Sequence, residues 1–89
     1  MQIDYTVQIW KEADQYVAHA MPLDVASSGD SLASARAALD EAVRLFIATA
    51  AERGTLEEVL EEAGYVREPG QWRSPDWVAV ERSTAVLAE

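Results

Sequence analysis

The fold is decided near the start of the chain, where residues 3–21 read IDYTVQIWKEADQYVAHAM. From Ile3 to Trp10 the odd positions are apolar and most even positions are polar, which is typical of a strand with one buried face. Residues 11–14 form a polar break of hairpin length, and an apolar-rich stretch resumes from Gln15 to Met21. The stretch therefore predicts two antiparallel strands joined by a hairpin.

The inward face of the second strand stays open at this point, because both of its sides are largely apolar. One side carries Tyr16, Ala18 and Ala20, and the other carries Val17, His19 and Met21. Pro22 closes the strand, since proline has no N–H for a ladder hydrogen bond. A short third strand is predicted from Asp24 to Ser28, before Gly29 turns the chain.

A long helix is predicted to follow, with Ser31 as the N-cap whose hydroxyl accepts from first-turn N–H groups. Eight apolar side chains then fall within an arc of about 140°, the width of a stripe that packs onto a sheet. These are Leu32, Ala35, Leu39, Ala42, Val43, Phe46, Ile47 and Ala50. Asp40 and Arg44 are expected to pair at i and i+4. Leu45 projects opposite the stripe, either as a harmless exposed leucine or as part of an oligomer contact.

A second, shorter helix is predicted immediately afterwards. Arg53 and Gly54 end the long helix with a cation and a C′ glycine. Thr55 and Glu58 predict a capping box for the second helix, and Gly64 is its expected C′ residue. The outward side of this helix carries Glu57, Glu58, Glu61 and Glu62. These carboxylates are either a solvated face or a docking surface for a basic partner.

The C-terminal part of the chain predicts a loop and a last strand. Prolines and a glycine favour a loop from Arg67 to Asp76, and Val and Thr favour a strand from Trp77 to Leu87. Trp72 and Trp77 are either rings folded over the edge of a small core or anchors at a subunit contact. Because a three-stranded sheet leaves an edge and a face open, we expect a homo-oligomer, such as a symmetric dimer with exchanged C-terminal strands. The expected contact residues are Trp72, Trp77, Val78, Val80 and Leu45.

Length and charge limit the classes of function. The 89 residues carry seven basic and sixteen acidic side chains, a net charge of −9, and no cysteine. One modest core is possible at this length, so residues 1–89 are expected to form one domain, with its core in 1–65 and 66–89 as the oligomer contact. The lack of cysteine argues against a disulfide framework and favours a reducing, cytoplasmic location. Scattered cations argue against direct nucleic-acid binding, no stretch suits a membrane span, and the charge favours a cationic partner.

Catalytic chemistry is not expected. His19 is the single histidine, and no Ser-His-Asp order, second histidine or glycine-rich phosphate loop accompanies it. Four aspartates could in principle surround a divalent cation, but turns and strand edges attract aspartate anyway. They are Asp4, Asp14, Asp24 and Asp30. We therefore expect a protein that is not an enzyme and holds no metal or cofactor.

Two motifs resemble a known family. The run DQYVAHAMPL at residues 14–23, followed by GDSL at 29–32 and the alanine-rich helix with Glu41-Ala42, resembles the HicB-like family of antitoxins from bacterial and archaeal HicA–HicB pairs. The resemblance covers about residues 3–65, including the helix that ends at Gly64-Tyr65. The chain departs from the family pattern at three places. Gln15 and Asp24 stand where glycines are usual, and Ala33-Ser34 replaces an acidic pair.

The resemblance implies an α+β domain of order β-β-β-α-α-β, a reduced ribonuclease H-like fold without its catalytic carboxylates. It further implies binding to a small basic HicA-like toxin that cleaves mRNA, with the toxin's active surface covered. A charge of −9 suits such a partner. The DNA-binding domain of many relatives is not expected, because 24 residues without a basic helix follow Tyr65. The alternative is an orphan of the same fold, a homo-oligomer with an unidentified partner and no catalytic activity.

Overall fold

The protein is an α+β chain, and a computed structural model describes its residues 1–88. Glu89, the last residue of the expected domain, lies outside the described residues. The described part contains two helices and two three-stranded sheets. In chain order the elements are β1 (Gln2–Ile3), β2 (Thr6–Glu12), β3 (Gln15–Met21), β4 (Val25–Gly29), α1 (Leu32–Glu52), α2 (Leu56–Glu62), β5 (Val66–Glu68) and β6 (Gln71–Arg73).

The first sheet is the antiparallel meander β2-β3-β4, which confirms the predicted three-stranded sheet. Its first turn is shorter than predicted, because β2 continues to Glu12 and leaves Ala13 and Asp14 as the only turn residues. Ala13 takes a φ of 52°, the left-handed conformation that a tight hairpin turn demands. Asp24, with a φ of 60°, turns the chain between β3 and β4, so the third strand starts one residue later than predicted.

The helix side of β3 is the side that carries Ala18 and Ala20. Both alanines are fully buried, and α1 packs across β3 and β4 above them. This settles the choice that the sequence pattern left open, and it puts His19 on the opposite face of the sheet. Small side chains beneath the helix are what a close helix-to-sheet approach requires, because interiors are packed without voids.

Helix α1 begins as predicted at Ser31, which forms a reciprocal capping box with Ser34. The apolar stripe is largely confirmed, but Leu32 is 58% exposed and lies outside it. The expected Asp40–Arg44 pair is wrong. Asp40 pairs instead with Arg36 one turn earlier, and it also accepts a 2.8 Å hydrogen bond from the Tyr5 hydroxyl, which orients the carboxylate toward the sheet.

Helix α2 follows after Gly54, whose φ of 72° is the expected left-handed C′ conformation. Its predicted capping box is wrong, because the Thr55 hydroxyl donates a 3.3 Å hydrogen bond back to the carbonyl of Ala50. Leu60 is fully buried and fixes the helix on the core. Gly64, at a φ of 94°, ends the helix as predicted.

The second sheet replaces the loop that was predicted from Arg67 to Asp76, so that prediction is wrong. Pro69 and Gly70 form a two-residue turn between β5 and β6, with Gly70 at a φ of 76°. A Pro-Gly pair fits a hairpin turn as well as a loop, since proline presets its own φ and glycine accepts a positive one. Strand β6 also pairs in parallel with β1, where Ile3 lies opposite Trp72. The sheet order is β1-β6-β5.

The predicted strand from Trp77 to Leu87 is also wrong, because residues 74–88 form neither helix nor strand. A strand needs a partner edge, and none of the described strands pairs with this segment. The Cα radius of gyration is 15.4 Å, whereas a compact domain of this length has about 12 Å. The C-terminal segment therefore projects from the folded body, and with it the described chain extends 48 Å along its longest axis.

One cluster of buried side chains joins both sheets and both helices. It comprises Ala18, Ala20, Leu23, Ala35, Leu39, Val43, Leu60, Tyr65 and Trp72. Trp72 is only 3% exposed, which agrees with a ring folded into the core and leaves it little surface for a subunit contact. Neither of the two described helices is long and apolar enough to cross a membrane.

Candidate interaction surfaces

The acidic face is the outward side of α2 and consists of Glu57, Glu58, Glu61 and Glu62. All four side chains are exposed, while the opposite side of the helix holds Leu60 in the core. Together with Gly54 the four carboxylates line one shallow depression of about 340 Å³. The short helix therefore gathers the predicted partner-binding residues on a single concave surface.

Most of the charge on the acidic face is not neutralised within the chain. Glu57 forms an ion pair of 2.9 Å with Arg67, and both side chains are about two-thirds exposed. Among residues 1–88 no ion pair involves Glu58, Glu61 or Glu62. A cluster of carboxylates in water attracts a basic surface and repels acidic ones, so its main effect is on the encounter rate and on the choice of partner.

A second surface is an apolar groove between α1, α2 and the start of β4. Its volume is about 550 Å³, and its lining includes Val25, Phe46, Val59 and the otherwise exposed Leu45. Leu45 is 68% exposed and forms part of the rim. We call this surface, formed around Val25, Leu45, Phe46 and Val59, the groove. Arg53 is the one charged residue of its lining.

The C-terminal arm, residues 77–88, is the third surface. Its valines are almost fully exposed to water: Val78 is 97% exposed, Val80 75%, and Val86 91%. Trp77, at the root of the arm, is 44% exposed and lies beside Pro22 and Pro75. Monomeric proteins rarely expose large contiguous apolar patches, and such patches are a common feature of interaction sites.

The root of the arm is fixed by hydrogen bonds to the N-terminal strand. The Asp4 carboxylate accepts from the backbone N–H of Ser74 at 2.8 Å and from its hydroxyl at 2.7 Å. Burial would raise the pKa of Asp4, but these bonds and the charge of Arg73 outweigh it and lower the pKa below 3.8. The Tyr65 hydroxyl donates to the Asp4 carbonyl at 2.6 Å, and burial, helped by the Asp4 charge, raises the pKa of Tyr65 to about 12.

The face of the first sheet away from α1 is partly open and carries His19. Its imidazole Nε2 lies 2.6 Å from the Asp24 carboxylate, and the ring meets Trp10 edge to face. The histidine is thus a partly exposed residue at the core edge with a structural partner.

The four aspartates considered for a cation site do not converge. Asp4 binds Ser74, Asp24 binds His19, and Asp30 accepts from Ser34 in the cap of α1. Asp14 lies in the hairpin turn between β2 and β3. Within residues 1–88, no three His, Cys, Asp or Glu side chains come together as a metal site.

The sequence pattern did not predict the groove, although Leu45, Phe46 and Val59 were correctly assigned to the two helices. Phe46 and Val59 were expected on buried faces, and both are only half-buried because they line the groove. The misfit of Leu45 with the apolar stripe was the one available signal. The predicted contact residues Leu45, Val78 and Val80 are all exposed, but in a single chain they do not touch one another.

The structure is a small α+β domain with an acidic face, an apolar groove and an exposed C-terminal arm. No protein-family model, curated protein or solved structure matches the chain.

Proposed function

We propose that the chain is a HicB-like antitoxin domain, which binds a small basic HicA-like mRNA-cleaving toxin and covers its active surface. The single observation that carries this proposal is the acidic face, where three of the four carboxylates form no ion pair within residues 1–88. The resemblance of residues 3–65 to HicB-like sequences supports the choice of partner class. In this proposal the domain is no enzyme and works by occlusion alone.

The charge balance supports the mechanism in kind. A domain of −9 accelerates encounter with a cationic ribonuclease and repels the ribonuclease's polyanionic substrate from the same surface. Binding by this face weakens as salt rises, because exposed charges are screened beyond a Debye length of about 8 Å at physiological ionic strength. The domain therefore competes with RNA without contacting it.

The experiment is co-expression of the chain with the small basic proteins encoded beside it, followed by purification and mass analysis. A basic partner that co-purifies and loses its ability to cleave mRNA when the chain is added would support the proposal. The proposal is overturned when no neighbouring basic protein binds, or when binding leaves its RNA cleavage unchanged.

The acidic face is tested with charge-matched variants. Replacing Glu61 and Glu62 by Gln removes two charges from α2, and replacing Glu41 and Glu52 by Gln removes two from the exposed side of α1. The first pair is expected to weaken toxin binding about tenfold, through the association rate, and the second pair is expected to have less effect. Equal effects would show that only the net charge matters.

The second candidate function is that of a homo-oligomeric interaction protein with an unidentified partner. The observation that favours it is the exposed apolar surface of the arm and the groove. It is distinguished from the first candidate by self-association in the absence of any other protein.

A further inference from the structure

The arm and the groove are two apolar surfaces of the same chain that lack a partner in a single copy. On the arm, Val78, Val80 and Val86 are separated by even numbers of residues, so an extended arm presents all three on one side. In the groove, Phe46 and Val59 lie half-buried with Leu45 at the rim. The arm provides apolar side chains without a cover, and the groove provides an apolar recess without an occupant.

Strand β4 provides a backbone edge beside the groove. In the sheet order β2-β3-β4 it is one of the two edge strands, and its first residue, Val25, lines the groove. An outermost strand presents unpaired N–H and C=O groups and is a template for an added strand. Residues 77–88 include three Val and one Thr, residue types that favour strand pairing.

We propose that residues 77–88 are an exchange arm, which pairs with the β4 edge of a second copy and places Val78 and Val80 in that copy's groove. This inference deepens the second candidate function, self-association, and is independent of the basic partner. The second copy supplies the occupant because, in one chain, Val78 and Val80 contact almost nothing although the groove is empty.

The root and the groove of one chain lie close together. Trp77 lies beside Pro22, and Val25 follows Pro22 by three residues, so root and groove are within about 11 Å along the backbone. In the proposed dimer two copies exchange arms about a two-fold axis, which fills both grooves at once and closes the assembly. The Asp4–Ser74 bonds hold each root in place.

The area buried along the β4 edge suits a weak dimer. The five residues of β4 span about 17 Å, and a strip of about 10 Å on arm and acceptor, counted in both copies, amounts to about 700 Å², to which the contacts of Val78 and Val80 in the groove add. A standard specific interface buries about 1,600 Å², so the dimer is expected to form only at high protein concentration. Both copies carry −9, so their long-range repulsion opposes the exchange and is screened by salt.

The test is the mass of the full chain in solution, measured by light scattering and sedimentation up to about 100 µM. The expected result is a dimer of twice 9.8 kDa that tightens as salt rises, opposite to the binding of a basic partner. Val80→Asp in the arm and Leu45→Asp at the groove are each expected to weaken the dimer at least tenfold. Val66→Asp is the matched control, because Val66 is also exposed, at 62%, but lies on β5.

A mixing experiment separates exchange from other dimers. The Val80→Asp chain keeps an intact groove and the Leu45→Asp chain keeps an intact arm, so mixed dimers with one good contact are expected to be more stable than either variant's own dimer. Because both side chains are largely exposed, neither variant is expected to unfold.

Three results would overturn the proposal. A dimer that resists both Val80→Asp and Leu45→Asp would place the interface elsewhere and leave self-association intact. A monomer with a protease-sensitive arm at about 100 µM would remove self-association as well. A monomer whose arm is protected from protease would show that the arm folds into its own groove.

Discussion

The carboxylate of Asp4 accepts two hydrogen bonds from Ser74, seventy positions further along the chain. Ser74 is 8% exposed, and it is the last residue before the backbone leaves the folded body. A residue in the gap between β1 and β2 thus determines where the C-terminal arm starts.

Replacing Asp4 by Ala is expected to lower the free energy of unfolding by about 1–2 kcal/mol, because the buried N–H of Ser74 loses its acceptor. Asp4 itself is exposed, so water replaces part of the interaction and the loss stays at this level. Urea unfolding at pH 7 measures the difference. Asp76→Ala is the control, since Asp76 is 84% exposed and its ion pair with Arg73 is long, at 3.8 Å. Its substitution is expected to change the free energy of unfolding by no more than about 0.5 kcal/mol.

The Asp4 contribution also depends on pH. Because folding lowers the pKa of Asp4 below 3.8, the charged form stabilises the fold above that value, and the stabilisation is lost as the pH falls through the folded-state pKa. The wild-type chain and the Asp4→Ala variant are therefore expected to approach each other in stability in acid. An unchanged difference at pH 7 and pH 2 would contradict the assignment.

Tyr65 is expected to make the fold sensitive to alkali. Its pKa is raised from 10.0 to about 12, first by burial and then by the Asp4 charge, so its contribution is complete below pH 10 and is lost between pH 10 and 12. Tyr65→Phe is expected to cost about 1 kcal/mol at pH 8, through the bond to the Asp4 carbonyl, and to lose less stability between pH 10 and 12.

Urea unfolding at pH 8 and pH 11 measures the Tyr65 effect, and absorbance at high pH follows tyrosinate formation. Tyr5 supplies a smaller part of the alkaline loss, because burial and its hydrogen bond to Asp40 also raise its pKa. A Tyr65→Phe chain that loses as much stability as the wild type above pH 10 would rule out the assignment.

The two leucines Leu60 and Leu45 are expected to differ sharply under the same substitution. Leu60→Ala leaves a cavity where α2 meets the core and is expected to cost about 2–5 kcal/mol. Leu45→Ala, at a position 68% exposed, is expected to stay within about 0.5 kcal/mol for the monomer. Chemical denaturation of both variants at a low protein concentration measures this, and similar losses would contradict the packing of α2.

Gly29 is expected to tolerate no side chain. A Cβ at this position would lie 2.7 Å from the backbone nitrogen of Ala35 in α1, so the helix would have to move away from β4. Gly29→Ala is expected to cost about 1–3 kcal/mol, as overpacking does. The neighbouring Ser28→Ala, on the exposed side of β4, is the control for thermal unfolding, and a melting temperature unchanged by Gly29→Ala would argue against this close contact.

Local signals in the sequence predicted the parts of the fold that depend on near neighbours. Ser31 caps α1 because its partner is Ser34, three residues away, and Gly54 and Gly64 end helices through their own backbone freedom. The alternation of β2 and the hairpin that follows depend likewise on adjacent residues, and these elements were predicted correctly for that reason. The predicted strand from Ile3 to Trp10 is wrong in one respect, because Asp4 and Tyr5 interrupt it and β1 pairs with β6 in the other sheet.

The errors in strand assignment concern choices that depend on distant residues, whereas the wrong partners of Asp40 and Thr55 are local errors. Pro69 and Gly70 form a hairpin turn rather than part of a loop because β6 pairs with β1, at the other end of the chain, as well as with β5. The alternation after Trp77 predicts a strand, but a strand forms only where an edge accepts it, and that information is absent from the segment. The acidic face was predicted because helical spacing alone assembles it, whereas the groove is lined by residues of α1, α2 and β4 and depends on how these elements pack.

The parallel pairing of β1 with β6 has a consequence for the order of folding. Ile3 and Trp72 are neighbours only after a loop of nearly the whole chain has closed, which costs on the order of 3 kcal/mol more in entropy than closing a tight turn. The meander β2-β3-β4 with α1 depends on short loops and is expected to form first. The junction that anchors the arm is then the last part to form and the first to open, so the arm gains a fixed origin only once folding is complete.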